Sequence, residues 1–311
     1  MKYPIIDLHC DLLSYLAADQ SRTPYDTQVP CNLSFLRKGQ VQIQTMALFT
    51  ETGKRSNELG DKQAQIYEKL KESAASALGL IPAIENASTL ACEETPLSEA
   101  LDKLEKWHTK IGPFLYLSLT WNGENRFGGG THTKIGLKEE GKCLLEKMEE
   151  LKIAIDLSHA CDYLAFDIIN FREKKGFSTP LIASHSNFRD VIPMERNLKK
   201  EFALAIKEAK GLIGLNLFVP FLGPSTSFIT KHIEKALQLN LEDCLAIGAD
   251  YFYMENASTL LKTYPIKNPY PKEVENASLY QNLIPYLPPS LALKITSLNA
   301  QNFLYRNNFK N

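Results

Sequence analysis

Ile153-Ala154-Ile155-Asp156-Leu157-Ser158-His159, an amphipathic stretch over 161–174, and Leu181-Ile182-Ala183-Ser184-His185 read in order as strand, helix and strand. Both apolar runs are too short for helices and rich in Ile and Leu, as buried parallel strands are. The unit recurs in both directions. Apolar runs at 3–8, 41–49, 79–85, 114–120, 152–158, 180–185, 211–217 and 244–250 give eight predicted strands. Helical patterns lie between several of them, at 57–78 (NELGDKQAQIYEKLKESAASAL), 96–110, 137–151, 161–174 and 197–210. Repeated β-then-α order predicts a parallel sheet. Eight units favour closure into an α/β barrel of the (β/α)8 (TIM) type over an open doubly wound sheet. The 311 residues, 44% of them hydrophobic, suffice for a fold that takes about 250. One barrel domain over 1–311 is expected, with an extension of about 256–311 packed on it. The extension holds a Pro- and Tyr-rich ordered loop, 263–289, and a final helix near 290–304.

Charge narrows the function. Lys+Arg is 35 and Asp+Glu 36, a formal charge of −1, with no long run of one sign. Nucleic acid and anionic membranes are therefore not expected as partners. Six scattered cysteines without a CxxC pair suit a reduced, cytoplasmic protein. The N-terminal residues lack a signal-peptide h-region, and no run approaches the roughly 20 apolar residues of a membrane span. Glu-Asn-Ala-Ser occurs at 85–88, 255–258 and 275–278 in unrelated surroundings, so it is not a structural repeat. No phosphate-binding G-x-x-x-x-G-K-[ST] or dinucleotide G-x-G-x-x-G is present, and Gly128-Gly129-Gly130 reads as a flexible loop near the pocket mouth.

The chemistry gathers at the C-terminal ends of the predicted strands. The first gives His9 and Asp11, placed two apart so as to face one side in extended chain. The third ends at Glu85, the fifth at His159, the sixth at His185 and the eighth at Asp250. Each alone is weak: a loop glutamate is usually solvated, a single histidine usually structural, and an aspartate can cap a helix. Together they deliver three imidazoles and three carboxylates to the face where (β/α)8 barrels keep their active sites. That donor set suits a pair of Zn²⁺-like ions. His108, His132 and His232 fall outside the pattern and read as structural or surface residues. Cys10 should point away from its ligand-like neighbours as a small hydrophobe, and Cys161 has no evident base partner.

These residues resemble the membrane (renal) dipeptidase family of zinc metallopeptidases, and the chain is identified as similar to its soluble bacterial members. The resemblance rests on His9-Cys10-Asp11, Leu119-Thr120-Trp121-Asn122, Gly136-Leu137, Ile155-Asp156-Leu157-Ser158-His159, Pro180 to Ser186, Arg196-Asn197, Ile247-Gly248-Ala249-Asp250 and Asn302-Phe303-Leu304. It implies a hydrolase that cleaves dipeptides with a water activated between two Zn²⁺. His9, Asp11 and Glu85 would hold one zinc and Glu85, His159 and His185 the other. Asp250 would move the proton to the leaving amine, and Arg196 would bind the substrate carboxylate. The sequence departs from the family at Trp121, where many members have a substrate-contacting His. Trp121 and Asn122 are therefore expected at the substrate, with Asn125 or Arg126 as further sources of a polar contact. Glu85-Asn86 stands for the usual Glu-Gly, and Tyr251-Phe252-Tyr253 for Phe-Asp-Gly.

Two other functions fit the same residues: a barrel hydrolase of another small amide or acyl-amino acid, and a catalytically silent barrel that binds a small ligand. A homodimer is the default assembly.

Overall fold

The computed structural model describes residues 2–74, 78–256, 264 and 266–309. Eight parallel strands form the barrel: β1 (Ile5–Cys10), β2 (Val41–Phe49), β3 (Gly79–Glu85), β4 (Tyr116–Ser118), β5 (Ala154–Asp156), β6 (Leu181–Ile182), β7 (Ile213–Leu215) and β8 (Leu245–Ile247). Their order is β6-β5-β4-β3-β2-β1-β8-β7. A parallel bridge between Ala183 and Ile213 closes the ring. The outer helices include Ser56–Ala74, Leu97–Lys110, Glu139–Leu151, Asp162–Lys175, Lys200–Glu208 and Phe228–Gln238. Residues 75–77, the end of the first predicted helix, lie outside the described residues, as do 257–263 and 265 of the predicted C-terminal extension. Among the described residues no helix is long and apolar enough to cross a membrane.

The second half of the barrel has shorter ladders than the apolar runs suggest. Pairing continues as single bonds, Leu157 N–H to Ile182 O at 2.8 Å and Ala183 N–H to Leu212 O at 2.8 Å. Beyond them side chains replace backbone partners: Asp156 Oδ1 accepts from Ser158 N–H and Ser184 N–H, both at 2.9 Å. The strands thus stop where the site begins.

Ile6, Leu8, Ile43, Ala83, Tyr116, Ala154, Ile182, Leu212 and Ala246 form one buried cluster. Ala300, Phe303 and Leu304, from the final helix Asn299–Arg306, join it and plug one end of the barrel. Two residues further along most of these strands the same face turns polar, at Glu85, Ser118, Asp156 and Ser184. β1 breaks the pattern. Its pairing with β2 shifts register between Asp7 and Cys10, which turns His9 inward although Ile6 and Leu8 already face in. Asp11 is not extended; it is the N-cap of the helix Leu12–Ala18, with φ −105° and ψ 32°. Simple alternation is therefore not why His9 and Asp11 meet. Cys10 points to the outer core, its Sγ 3.5 Å from Met46 Sδ.

Two loops differ from expectation. Glu124–Asn125 and Gly128–Gly129 pair as a small antiparallel hairpin, and Gly130 bridges to Ala160. The glycine run is ordered and buried; a Cβ on Gly130 would collide with the Trp121 carbonyl, so close backbone approach, not flexibility, is its role. The Pro- and Tyr-rich segment winds into 3₁₀ turns at Lys272–Val274 and Ala277–Tyr286. Its Tyr280 hydroxyl donates to the buried Asp7 carboxylate, tying that segment to β1.

Candidate metal centre

The structure brings His9, Asp11, Glu85, His159, His185 and Asp250 together at the C-terminal end of the barrel. Glu85 is central. Its Oε2 lies 3.2 Å from His9 Nε2, and its Oε1 lies 2.9 Å from His159 Nε2 and 3.8 Å from His185 Nε2. His9 Nε2 is also 3.6 Å from Asp11 Oδ2 and 3.7 Å from Asp250 Oδ1. Three sets of side chains could hold a cation: His9, Asp11 and Glu85; Glu85, His159 and His185; and His9, His185 and Asp250, with the ligand atoms of each within 4.8 Å of one another.

A ring of outer partners aims the imidazoles. The Tyr116 hydroxyl donates to Leu8 O at 3.0 Å, so it accepts from His9 Nδ1–H at 2.7 Å. Ser184 Oγ donates to Asp156 Oδ2 at 2.6 Å and accepts from His185 Nδ1–H at 2.6 Å. Asn122 Oδ1 accepts from His159 Nδ1–H at 3.1 Å. In all three rings the proton is thereby placed on Nδ1 and Nε2 faces Glu85, the arrangement that a hydrogen-bond acceptor behind the ring gives metal-binding histidines.

This donor set fits a divalent cation. His9 Nε2 and Asp11 Oδ1 are buried without a hydrogen-bond partner, and such orphans are rare without a reason. His159 Nε2 and His185 Nε2 sit 3.1 Å apart, an approach of two lone pairs that a shared positive charge relieves. Burial, reinforced by Arg196, pushes His159 down to about 3. Burial, His9 and Arg196 hold His185 well below its usual range. Both rings are thus neutral, the form that binds metal. Burial opposes ionisation of Glu85, but the positive charge favoured at His9 outweighs it and keeps the carboxylate charged. Burial lowers His9, yet Tyr116, Glu85 and Asp11 raise it well above its usual value; the field at Nε2 favours positive charge. Asp250, pushed up to about 7 by burial with Asp11 and Glu85 adding and His9 opposing, is placed to exchange a proton near neutrality.

Asn86, His159 and Asp250, all at strand ends beside the site, have φ of 67°, 66° and 62°. Asn tolerates this region better than most residues, which is why Asn86 can stand where Gly is usual. Asn216, on the strand-end segment after β7, donates to Asp250 Oδ2 at 2.8 Å, and the Tyr270 hydroxyl donates to Asp250 O at 2.6 Å.

Above the cluster opens a cavity of about 380 Å³. Trp121 lines it, its ring centroid 6.0 Å from that of His159, as do Phe221, Phe252 and Tyr253. Asn122 does not line it and serves the His159 ring. Asn125 bonds Asn86 Oδ1 and Leu119 O, and Arg126 pairs with Glu140 and donates to Cys92 O and Thr95 O, so neither faces the cavity. Arg196 is buried behind Phe221, over whose ring its guanidinium lies at 5.5 Å. It donates to Ser186 Oγ at 2.7 Å and His185 O at 3.0 Å, and its Nε–H has no partner. His108 and His232 lie in helices and His132 in a turn, all away from the cluster. Tyr116, Asp156, Ser184 and Asn216 were not singled out from sequence as parts of the site.

A family model described as membrane dipeptidase (peptidase family M19) matches residues 1–288. A Klebsiella pneumoniae protein named only as an uncharacterized protein in the pqqA 5' region is 32% identical over 158 residues, 45% of this chain and 54% of that protein. The match thus spans about half the length of that curated relative. Among solved structures, the dipeptidase AC, a family M19 metallo peptidase, superposes with TM-score 0.83 at 20% identity over 100% of both chains. A Rhodobacter sphaeroides metallo peptidase, liganded with a phosphinate mimic of the dipeptide L-Ala-D-Ala, superposes with TM-score 0.81 at 20% identity over 99% of this chain and 100% of its own.

Proposed function

This chain belongs to the membrane dipeptidase family, and from that we propose that it is a metal-dependent hydrolase that cleaves dipeptides at a dinuclear zinc site. One observation carries the reading: the Glu85 carboxylate reaches His9 on one side and His159 and His185 on the other, as a bridge between two ions must. His9, Asp11 and Glu85 would hold one Zn²⁺, and Glu85, His159 and His185 the second. Ions held there would supply Lewis acidity, lowering the pKa of a water from about 15.7 towards 7 and polarising the scissile carbonyl.

The chain's own groups do the rest. Asp250, with a carboxyl raised to about 7, takes the proton the attacking water loses and returns it to the departing amine nitrogen. Asn216 and Tyr270 hold Asp250 in place. Arg196, with a buried Nε–H unused, binds the substrate's terminal carboxylate and so selects very short peptides. The cavity, about 380 Å³, lies near the lower end of small-molecule sites, roughly 300–1,000 Å³. Trp121 covers the His159 side and excludes water. The six cysteines are free, which suits a reducing, cytoplasmic setting. The chain works as one barrel domain, with the described part of its C-terminal extension, 266–309, packed on it.

Trp121 favours a second reading, a hydrolase of the same barrel acting on another small amide or acyl-amino acid. An indole N–H offers one hydrogen bond and no charge.

The experiment measures metal content and dipeptide hydrolysis on the same preparation, wild type beside Glu85→Ala. About two zinc per chain are expected on the bridging geometry, with turnover that disappears together with metal in the variant. Two metals without dipeptide turnover would move the substrate to another amide. No metal after zinc reconstitution would leave a ligand-binding barrel.

A further inference from the structure

The cavity is lined from two parts of the ring: Phe49, Leu59 and Trp121 from the segments at and after β2 and β4, and Phe221, Phe252 and Tyr253 from those after β7 and β8, with Arg196 buried behind Phe221. In a closed ring of eight strands β2 lies opposite β6. Arg196 follows β6, whereas Phe49 ends β2, Leu59 lies on the helix after it, and Trp121 follows β4. A dipeptide with its carboxylate at Arg196 and its scissile carbonyl over Glu85 therefore directs its N-terminal side chain towards Phe49, Leu59 and Trp121.

That wall is apolar in its contacts as well as its composition. The Phe49 and Trp121 rings pack with centroids 5.2 Å apart. Ala17 and Ala18 complete the surface, and Leu59 is 41% exposed at its edge. The polar residues among them are engaged elsewhere. Gln63 spends both ends of its amide on Phe49, accepting from its N–H at 2.9 Å and donating to its C=O at 2.6 Å. That pair also fixes the end of β2 that carries the ring. Ser14 Oγ donates to Asp11 O at 2.9 Å, and Thr50 Oγ1 is 3.0 Å from Thr89 Oγ1. Glu51 stands exposed at the rim. An acidic or uncharged polar side chain entering this side would lose water without gaining a partner; an apolar one would cover Leu59 and the two rings.

We propose that the wall formed by Phe49, Leu59 and Trp121 makes this protein selective for dipeptides whose N-terminal residue is apolar and large, of the leucine or phenylalanine type. The inference rests on the dipeptidase reading above. Specificity for the first residue resides in the β2–β4 side of the cavity.

The test compares kcat/KM for Leu-Gly, Phe-Gly, Gly-Gly and Asp-Gly in the zinc-loaded wild type, Phe49→Ala and Leu59→Ser. Calorimetry of phosphinate dipeptide mimics with leucine-like or glycine-like first residues is run beside it. Leu-Gly and Phe-Gly should exceed Gly-Gly and Asp-Gly by about tenfold or more, the scale that hydrophobic pockets supply. The Leu-Gly to Gly-Gly ratio should fall several-fold in both variants, with zinc content retained. Leu59→Ser alters an exposed position, so folding is not at issue there. Equal turnover of all four dipeptides, or a ratio that neither variant moves, overturns the inference and leaves the dipeptidase reading intact. If zinc-loaded protein cleaves none of them, the dipeptidase reading fails. The mimics then read the wall directly: tighter binding of the leucine-like one supports its apolar selectivity, and equal binding overturns it.

Discussion

Asp156 and His185 are joined through one hydroxyl, with Ser184 Oγ 2.6 Å from Asp156 Oδ2 and 2.6 Å from His185 Nδ1. Asp156 also accepts from the backbone N–H of Ser158 and of Ser184. It therefore sets the direction of the His185 ring and the path of two strand ends, all from a fully buried position.

The first prediction concerns this relay. Ser184→Ala removes the acceptor that holds the His185 proton on Nδ1 and frees the ring to turn. Zinc affinity, read by competition with a chromogenic chelator, should fall by roughly 10–100-fold, as loss of an outer-shell partner does elsewhere. Asp156→Asn should weaken zinc similarly. A variant that binds zinc as tightly as wild type would show that the relay does not orient the ring.

Asp250 should separate chemistry from binding. Asp250→Asn keeps the shape and the Asn216 neighbour but cannot shuttle a proton. Its kcat should drop by about 10²–10⁴-fold, the range for lost general acid–base catalysis, with zinc content retained and KM little changed. Asn216→Ala, which removes the 2.8 Å bond to Asp250 Oδ2, should give a smaller loss in the same parameter.

Acid stability should report His232. Its Nδ1 accepts from Phe188 N–H at 3.3 Å and its Nε2–H donates to Leu222 O at 2.9 Å, so the ring is neutral in the fold. Burial lowers its pKa from 6.5 to about 4. Above 6.5 neither folded nor unfolded chain binds the proton and the group is silent. Between 6.5 and 4 the unfolded chain takes a proton that the folded chain refuses, so stability falls as pH falls. The whole loss is on the order of 3 kcal/mol. Urea midpoints between pH 7.5 and 4.5 should drop less steeply in His232→Gln than in wild type; parallel slopes would refute it.

Gly214→Ala should be strongly destabilising. A methyl there would fall on the Ser184 carbonyl oxygen and close to Gly248 Cα. Neither contact is a flexible side chain, so the seam between β6 and β7 must open, costing about 1–3 kcal/mol or more. The melting temperature of the metal-free protein should fall accordingly.

The eight apolar runs were legible in the sequence because buried parallel strands carry their own composition. Every strand lies within two or three residues of its expected position. The ligand-like side chains were legible as the polar residues that end those runs. The second layer was not. Tyr116, Asp156, Ser184 and Asn216 sit on the same strand segments, but their partners come from other strands; Asp156 and Ser184 are 28 residues apart. Only barrel closure makes them neighbours. One signal was available: Ala154-x-Asp156, Ile182-x-Ser184 and Gly248-x-Asp250 repeat a step from apolar or small to polar on one face. The register shift in β1 and the turn of Asp11 into a helix break the same two-residue rule, so no alternation argument could place that pair.

The left-handed backbone at Asn86, His159 and Asp250 has a consequence for the balance between durability and activity. Each such residue carries strain of about 1–3 kcal/mol, against a net folding free energy of about 5–15 kcal/mol. Gln40, Lys152, Lys210 and Asn240 hold the same conformation at the opposite end of the barrel, so the strain is not peculiar to the reactive end, but only there does relieving it remove side chains of the site. A search for heat-resistant variants would therefore return glycine at His159 or Asp250 among its winners, and those winners would be dead enzymes.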